Sequence, residues 1–195
     1  MCRLSGIASQ AATYVEKVAG TKAKVYDTRK TTPGWRWLEK YAVRCGGGTN
    51  HRGSLNRAVL IKDNHIAFGN SAEDQDSFTI AQSLDRARAY VAEHAPDGQS
   101  MIIEIEVDSL EQLEEVLPNR PDIVLLDNMK PEQLSAAIEL RDQLAPAVEL
   151  EASGGVNLTT IRSIAETGVD RISVCLLYTS PSPRDATLSR MPSSA

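Results

Sequence analysis

"MIIEIEVDSLEQLEEVLPNRPDIVLLDNMKPEQLSAAIELRDQLAPAVELEASGGVNLTTIRSIAETGVDRISV", Met101 to Val174, is the stretch that decides the fold. Its apolar runs MIIEIEV, DIVLLDN, AVELEASGG and DRISV begin near residues 101, 122, 147 and 170, 21 to 25 residues apart. Between them, Leu110 to Val116, Pro131 to Leu144 and Leu158 to Thr167 carry the apolar spacing of helices. Strand and helix alternating at that interval mark parallel βα units, because a parallel pair of strands needs a long crossover, usually a helix.

The same alternation is readable upstream. Leu4 to Val18 is an amphipathic helix stopped by Gly20, Ala23 to Tyr26 a short strand, and Trp35 to Arg44 a helix ended by Gly46 to Gly48. Val59 to Lys62 is a second strand, and Ser77 to Glu93 another helix. Such units build either an open doubly wound sheet or a barrel. No GxGxxG follows the first strand, and polar or charged residues stand at the C-terminal ends of several strands: Arg29 and Lys30, Lys62, Glu106, Asp127, and Ser153 with its glycines. A barrel collects groups from many strand ends at one mouth, whereas a doubly wound sheet concentrates them at one switch point. The expectation is therefore an α/β protein built as a parallel TIM-like barrel.

Composition narrows the function classes. With 42% hydrophobic and 24% charged residues, the 195-residue chain is neither disordered nor fibrous. Three scattered cysteines without a CxxC pair argue against a disulfide framework or a zinc site and fit a cytoplasmic setting. No apolar run reaches the roughly 18 residues of a membrane span. The net charge of -5 conceals a basic segment: Thr21 to Lys62 holds ten Lys/Arg and two acids, leaving 24 of the 26 acidic residues elsewhere. A local anion site accounts for that better than nucleic acid, which calls for a wider basic surface with more stacking aromatics.

Three groups of residues carry chemistry. Arg29, Lys30, His51, Arg52 and Lys62 come from separate strand or loop ends, and if they share one mouth they require a dicarboxylate or a phosphate-rich anion; otherwise they are a solvated face. Glu106 and Asp127 are charges in apolar strands, where they would hold a magnesium-bound hydroxylated substrate, stabilise a cationic transition state, or pair with the basic group. Glu104 lies on the same side of its strand as Glu106. Ser153, Gly154 and Gly155 follow a strand and precede a helix, a turn in which backbone N–H groups and the helix dipole could face a phosphate. Trp35 and Trp37 read as residues packing their helix, the glycine run as a lid or a cradle, and His65 as a polar loop residue or a partner behind the site.

The stretches GTKAKVYDTRKTTPGWRWLEKYAV, GGGTNHRGSLNRAVLIKDNHI, EIEVDSLEQLEEVLPNRPDIVLLDNM and LEASGGVNLTTIRSIAETGVDRISV closely resemble the quinolinate phosphoribosyltransferase family, also called carboxylating nicotinate-nucleotide pyrophosphorylases, over roughly residues 3 to 174. The resemblance implies an incomplete α/β barrel beside a smaller N-terminal sandwich domain, in a homodimer or higher homo-oligomer whose subunits build each site together. The implied reaction makes nicotinate mononucleotide, pyrophosphate and carbon dioxide from quinolinate and phosphoribosyl pyrophosphate, with magnesium, in NAD biosynthesis. It implies that Thr28, Arg29, Lys30, His51, Arg52 and Lys62 surround quinolinate. Glu106 and Asp127 would hold the ribose hydroxyls and the magnesium-complexed donor, without binding the metal directly, and Ser153, Gly154 and Gly155 the 5-phosphate. Lys30, Lys62, Glu106 and Asp127 are the implied catalytic residues.

Departures from the family pattern add further expectations. The chain begins inside the helix that leads into the barrel, without the sandwich domain, and VCLLYTS stands where the family has VGALTHS. Residues 1–174 are thus expected to be a partial barrel catalytic domain lacking its closing C-terminal elements, inactive alone. Residues 175–195, rich in Ser, Pro and Arg, are expected to be a disordered or artefactual tail. Two alternatives accompany this reading: an anion-binding fragment without turnover, and a paralogous phosphoribosyltransferase for another heterocyclic acid.

Overall fold

In the computed structural model of the protein the described residues are 2–53, 58–62, 79–94 and 101–178. Helix α1 spans Cys2–Lys17, strand β1 Lys24–Tyr26, α2 Arg36–Cys45, β2 Ala58–Ile61 and α3 Ile80–His94. They are followed by β3 Ile102–Val107, α4 Leu110–Val116, β4 Ile123–Asp127, α5 Pro131–Leu144, β5 Glu149–Ser153, α6 Ile161–Glu166 and β6 Arg171–Ser173. Single 3-10 turns occupy Leu117–Asn119 and Cys175–Tyr178. The expected start of α3 at Ser77, His65, and the tail beyond Tyr178 lie outside the described residues.

All five ladders are parallel, in the order β1-β6-β5-β4-β3-β2. From β2 to β6 each strand lies beside its sequence neighbour, and β1 then joins β6, so no reversal of strand order creates a switch point. That is barrel order, opened between β1 and β2, which are the two ends of the ladder among the described residues. Among the described residues the barrel is therefore open, in keeping with the expected incomplete barrel.

Period two gives the strands an outer apolar face and, on β3 to β6, an inner face that carries the charged and hydroxyl side chains among a few apolar ones. Ile103, Ile105 and Val107 on β3, Val124 and Leu126 on β4, Leu150 on β5 and Ile172 on β6 belong to the hydrophobic core, with Leu113, Leu134 and Ile161 from the covering helices. The alternate positions Glu104, Glu106, Leu125, Asp127, Glu151, Ser153, Arg171 and Ser173 lie opposite one another in register across β3 to β6. Local signals set the helix starts: the Ser109 hydroxyl caps α4 by accepting from the Gln112 N–H, and Pro131 opens α5.

Several boundaries and environments differ from the sequence expectation. The helix expected from Leu158 begins at Ile161, because the Asn157 side chain accepts from the Thr159 and Thr160 N–H groups and holds that stretch as a turn. Trp35 and Trp37 do not pack their helix; they are 42% and 65% exposed, since α2 buries the face carrying Glu39, Lys40, Ala42 and Val43. The glycine run is a packing feature: a Cβ on Gly46 would meet the Ala8 carbonyl oxygen of α1 at 2.2 Å. Past the expected boundary at Val174, Leu177 and Tyr178 are buried, and the Tyr178 hydroxyl donates to the Thr28 carbonyl at 3.1 Å. No helix among the described residues is long and apolar enough to cross a membrane.

Candidate active site

A cavity of about 830 Å³ opens at the C-terminal ends of the strands. Thr28, Arg29 and Lys30 reach it from the end of β1, His51 and Arg52 from the loop after α2, and Lys62 from the end of β2. Glu106 ends β3's inner face, Asp127 ends β4, and Ser153, Gly154 and Gly155 follow from the end of β5. The structure thus brings all eleven residues singled out in the sequence to one mouth. Asp27, Glu151, Asn128, Ser173 and Cys175 border it as well.

The cationic side is electrostatically strained. Burial and the neighbouring Arg29 guanidinium both lower the Arg52 pKa, while Glu104 offsets part of the shift. The Arg29 Nε is buried with no hydrogen-bond partner. Like charges held together with an unused buried donor are relieved by an anion placed between them. Lys62 Nζ donates to Glu106 Oε2 at 2.5 Å, so the cation and the carboxylate reach the cavity as a pair.

Behind the mouth lies a second charged layer. His51 Nε2 is 3.1 Å from Glu104 Oε2 and 3.3 Å from Glu151 Oε1, and both carboxylates are buried. Arg171 Nε pairs with Glu151 Oε2 at 2.6 Å, and the Ser173 hydroxyl donates to Glu151 Oε1. Burial would lower the imidazole pKa, but the two acids outweigh it and push it up to about 9. Burial would likewise raise the Glu151 carboxyl, which His51, Arg171 and Ser173 instead hold below the usual carboxylate range. The Arg52 backbone N–H, 2.9 Å from His51 Nδ1, suits a neutral ring instead. Two carboxylates in a buried setting are the stronger influence, because charge–charge attraction there exceeds one neutral hydrogen bond.

The donor atoms of His51, Glu104 and Glu151 lie within 4.8 Å of one another, a grouping that could span one metal ion. Its chemistry does not favour one. Whether the ring is an imidazolium or accepts at Nδ1, Nε2 carries the proton and has no lone pair to give, and Arg171 already neutralises Glu151. Glu106 and Asp127 line the cavity itself, where Glu106 Oε2 is paired with Lys62 and Asp127 Oδ2 accepts from Asn128 Nδ2 at 2.7 Å, an arrangement that suits contact with a metal-complexed substrate better than direct metal binding.

The turn after β5 is built for close approach. Gly154 and Gly155 have φ of +86° and +62°, and a Cβ on Gly154 would fall 2.1 Å from Asn128 Oδ1. Only glycine fits there. Because α6 starts six residues later and is a short helix, the helix N-terminus expected beside this turn is not there.

Sequence reading missed Asp27, Glu151 and Asn128 as site residues. Glu151 carried the signal that exposed Glu106, an acid inside an apolar strand. Asp27 was masked by the cations that follow it. Asn128 has φ +54° and gives no sequence signal beyond being an asparagine, a residue that tolerates that conformation.

Comparison with known proteins bears on the family and the fold. Residues 7–189 match the family model described as quinolinate phosphoribosyl transferase, C-terminal domain. The chain is 46% identical over 174 residues to the nicotinate-nucleotide pyrophosphorylase [carboxylating] of Mycobacterium leprae, covering 89% of this chain and 56% of that protein. To the probable nicotinate-nucleotide pyrophosphorylase [carboxylating] of Synechocystis sp. it is 41% identical, covering 87% of this chain and 53% of the relative. The crystal structure of nicotinate-nucleotide pyrophosphorylase from Ehrlichia chaffeensis superposes with a TM-score of 0.78 at 40% identity, over 92% of this chain and 59% of the other. The chain spans about half the length of the curated relatives it matches. The open barrel with its polar inner face is thus the form taken here by a known domain, and the chain belongs to the quinolinate phosphoribosyl transferase family.

Proposed function

We propose that this chain carries the catalytic barrel of a quinolinate phosphoribosyltransferase, transferring phosphoribosyl from phosphoribosyl pyrophosphate to quinolinate with decarboxylation. The supporting observation is the convergence of five cations, two carboxylates and a glycine turn on one cavity. Arg29, Lys30, His51, Arg52 and Lys62 form a receptor for the two carboxylates of quinolinate, with Thr28 at its edge. Ser153, Gly154 and Gly155 cradle the 5-phosphate. Glu106 and Asp127 face the ribose hydroxyls and the magnesium that arrives complexed to the pyrophosphate of the donor.

In the chemical step the pyridine nitrogen forms a bond to the anomeric carbon as the bond to pyrophosphate breaks and pyrophosphate leaves; magnesium bound to the donor would neutralise the charge on that leaving group. The oxocarbenium-like charge that develops is stabilised by the nearby carboxylates. Loss of the carboxylate adjacent to the ring nitrogen as carbon dioxide leaves an electron pair on that ring carbon, which a proton then takes up. Lys62 or Lys30 supplies the cation that lowers the cost of that charge. The setting is a cytoplasmic one in NAD biosynthesis, and the working unit a homodimer or higher homo-oligomer.

The test is turnover by the complete protein that contains this domain. Quinolinate and phosphoribosyl pyrophosphate with magnesium should give nicotinate mononucleotide, pyrophosphate and carbon dioxide in equal amounts. Formation of a nucleotide from another heterocyclic acid, with none from quinolinate, would overturn the proposal.

A further inference from the structure

Asp27 directly follows β1 and immediately precedes Thr28, Arg29 and Lys30, and its side chain is fully buried. Oδ1 accepts from Lys40 Nζ at 2.6 Å and from the His51 backbone N–H at 2.7 Å, and Oδ2 accepts from Asn50 Nδ2 at 2.7 Å. The partners are themselves joined. Lys40 Nζ donates to the His51 carbonyl at 3.2 Å, and Asn50 Nδ2 to the Lys40 carbonyl at 2.9 Å. The Asp27 backbone N–H donates to the Thr49 carbonyl at 3.0 Å.

One carboxylate therefore ties three pieces of chain together: the strand end bearing Arg29 and Lys30, helix α2 through Lys40, and the loop bearing His51 and Arg52. Those two cationic segments repel each other; a backbone bridge, in which the Thr49 N–H donates to the Val25 carbonyl at 2.8 Å and the Asp27 N–H to the Thr49 carbonyl, joins them at their base, and the Asp27 carboxylate joins them next to the cations. A buried ion pair adds little net stability against an apolar replacement, because desolvation offsets its attraction. Its geometric effect is different: three short bonds to two segments fix their separation to within a fraction of an ångström, the tolerance a bidentate carboxylate contact requires.

We propose that Asp27, through Lys40, Asn50 and the His51 backbone, is the positioning residue that sets the separation of the Arg29–Lys30 and His51–Arg52 segments and so fits the cavity to a compact aromatic dicarboxylate. Its carboxylate oxygens are engaged by protein donors, so it acts through those segments and not on the substrate. The inference rests on the reading of the cavity as a quinolinate site.

The test uses the complete protein and its Asp27→Asn, Asn50→Ala and Asp27→Asn/Lys40→Met variants. Steady-state kinetics and calorimetric titration with quinolinate are measured beside thermal melting. A wild-type protein that binds quinolinate but lacks turnover removes the functional reading while leaving the calorimetric comparison intact; one that does not bind quinolinate overturns both. The quinolinate KM and dissociation constant should rise at least tenfold in Asp27→Asn and in the double variant, and at least threefold in Asn50→Ala. The KM for phosphoribosyl pyrophosphate should stay within twofold throughout, and the double variant should melt closer to wild type than Asp27→Asn. If Asp27→Asn does not fold, the other two variants carry the comparison. Quinolinate affinity within twofold of wild type in both of them, or equal rises in both KM values, would overturn the inference.

Discussion

Lys62 Nζ meets Glu106 Oε2 at 2.5 Å across the adjacent strands β2 and β3, whose register places the two residues side by side at the mouth of the barrel. The pair supplies a cation and an anion from one point on the rim. Replacing Lys62 by Met leaves Glu106 without this partner and removes the charge that would stabilise the electron pair left by decarboxylation. Turnover should fall by about 100-fold or more, in the range seen on removing one preorganised electrostatic group. Lys62→Arg, which keeps the charge, should recover part of it. Near-normal kcat in Lys62→Met would assign the role to Lys30.

The second prediction concerns pH. His51 takes up its proton more readily folded, with a pKa raised to about 9, than unfolded, where it lies at about 6.5. Its contribution to stability is therefore fully present below pH 6.5 and is lost as pH rises through 9. The groups facing it are Glu104 on β3, Glu151 on β5 with Arg171 behind it, and the edge of Tyr26 from β1. Thermal melting between pH 6 and 10 should show that decline, and Glu104→Gln should flatten it and move the imidazole titration downward in NMR. An imidazole that titrates near 6.5 in the wild-type protein would show that the Arg52 N–H, and not the two acids, governs the ring.

Gly154→Ala should damage both fold and phosphate binding. The added Cβ meets Asn128 Oδ1 at 2.1 Å, and φ of +86° is unfavourable for any L side chain. A loss of about 2 kcal/mol is expected from the backbone and the clash together. The denaturant midpoint should drop, and the KM for phosphoribosyl pyrophosphate should rise more than that for quinolinate. Adding Asn128→Gly removes the side-chain clash but neither the close backbone N of residue 128, 3.0 Å from the added Cβ, nor the strained φ, so it should restore stability only in part.

The fold was legible because its signals are local and repeated. The runs around Ile105, Leu125 and Leu150 are too short for helices and too regularly spaced for anything but βα units, and Leu110–Val116 and Pro131–Leu144 match their helices to the residue. The rim of the site was legible for a related reason: Lys62, Glu106 and Asp127 stand at or just past the ends of apolar strands, and Arg29 and Lys30 follow β1 within a few residues. What sequence could not supply was the layer beneath. That His51 lies between Glu104 and Glu151, and that Asp27 pairs with Lys40, depend on contacts between residues up to about a hundred positions apart. Trp37 misled for the opposite reason, since hydrophobicity predicts burial on average and says nothing of a position that falls on the open side of α2.

The last prediction tests the closed, N-terminal side of the barrel, away from the cavity. Asp170 Oδ2 accepts from Arg141 Nη1 and from the Leu150 N–H, each at 2.9 Å, and Lys22 Nζ lies 3.0 Å from Oδ1. Burial would raise this carboxyl, but the Leu150 N–H, Lys22 and Arg141 together hold it below the usual aspartate range. A depressed carboxylate contributes stability above its unfolded pKa of about 3.9, and that contribution is lost as pH falls through the lower folded value. Asp170→Asn should remove this acid-sensitive portion and leave the buried Arg141 guanidinium with the exposed Asp142 as its remaining ionic partner. The expected cost near pH 7 is about 2 to 3 kcal/mol, reduced from the figure for a fully buried pair because Asp170 is partly open to solvent. Urea unfolding of both proteins at pH 7 and pH 3 decides it. The gap between them should shrink at pH 3, and a gap that stays constant would show that Asp170 acts through packing and not through its charge.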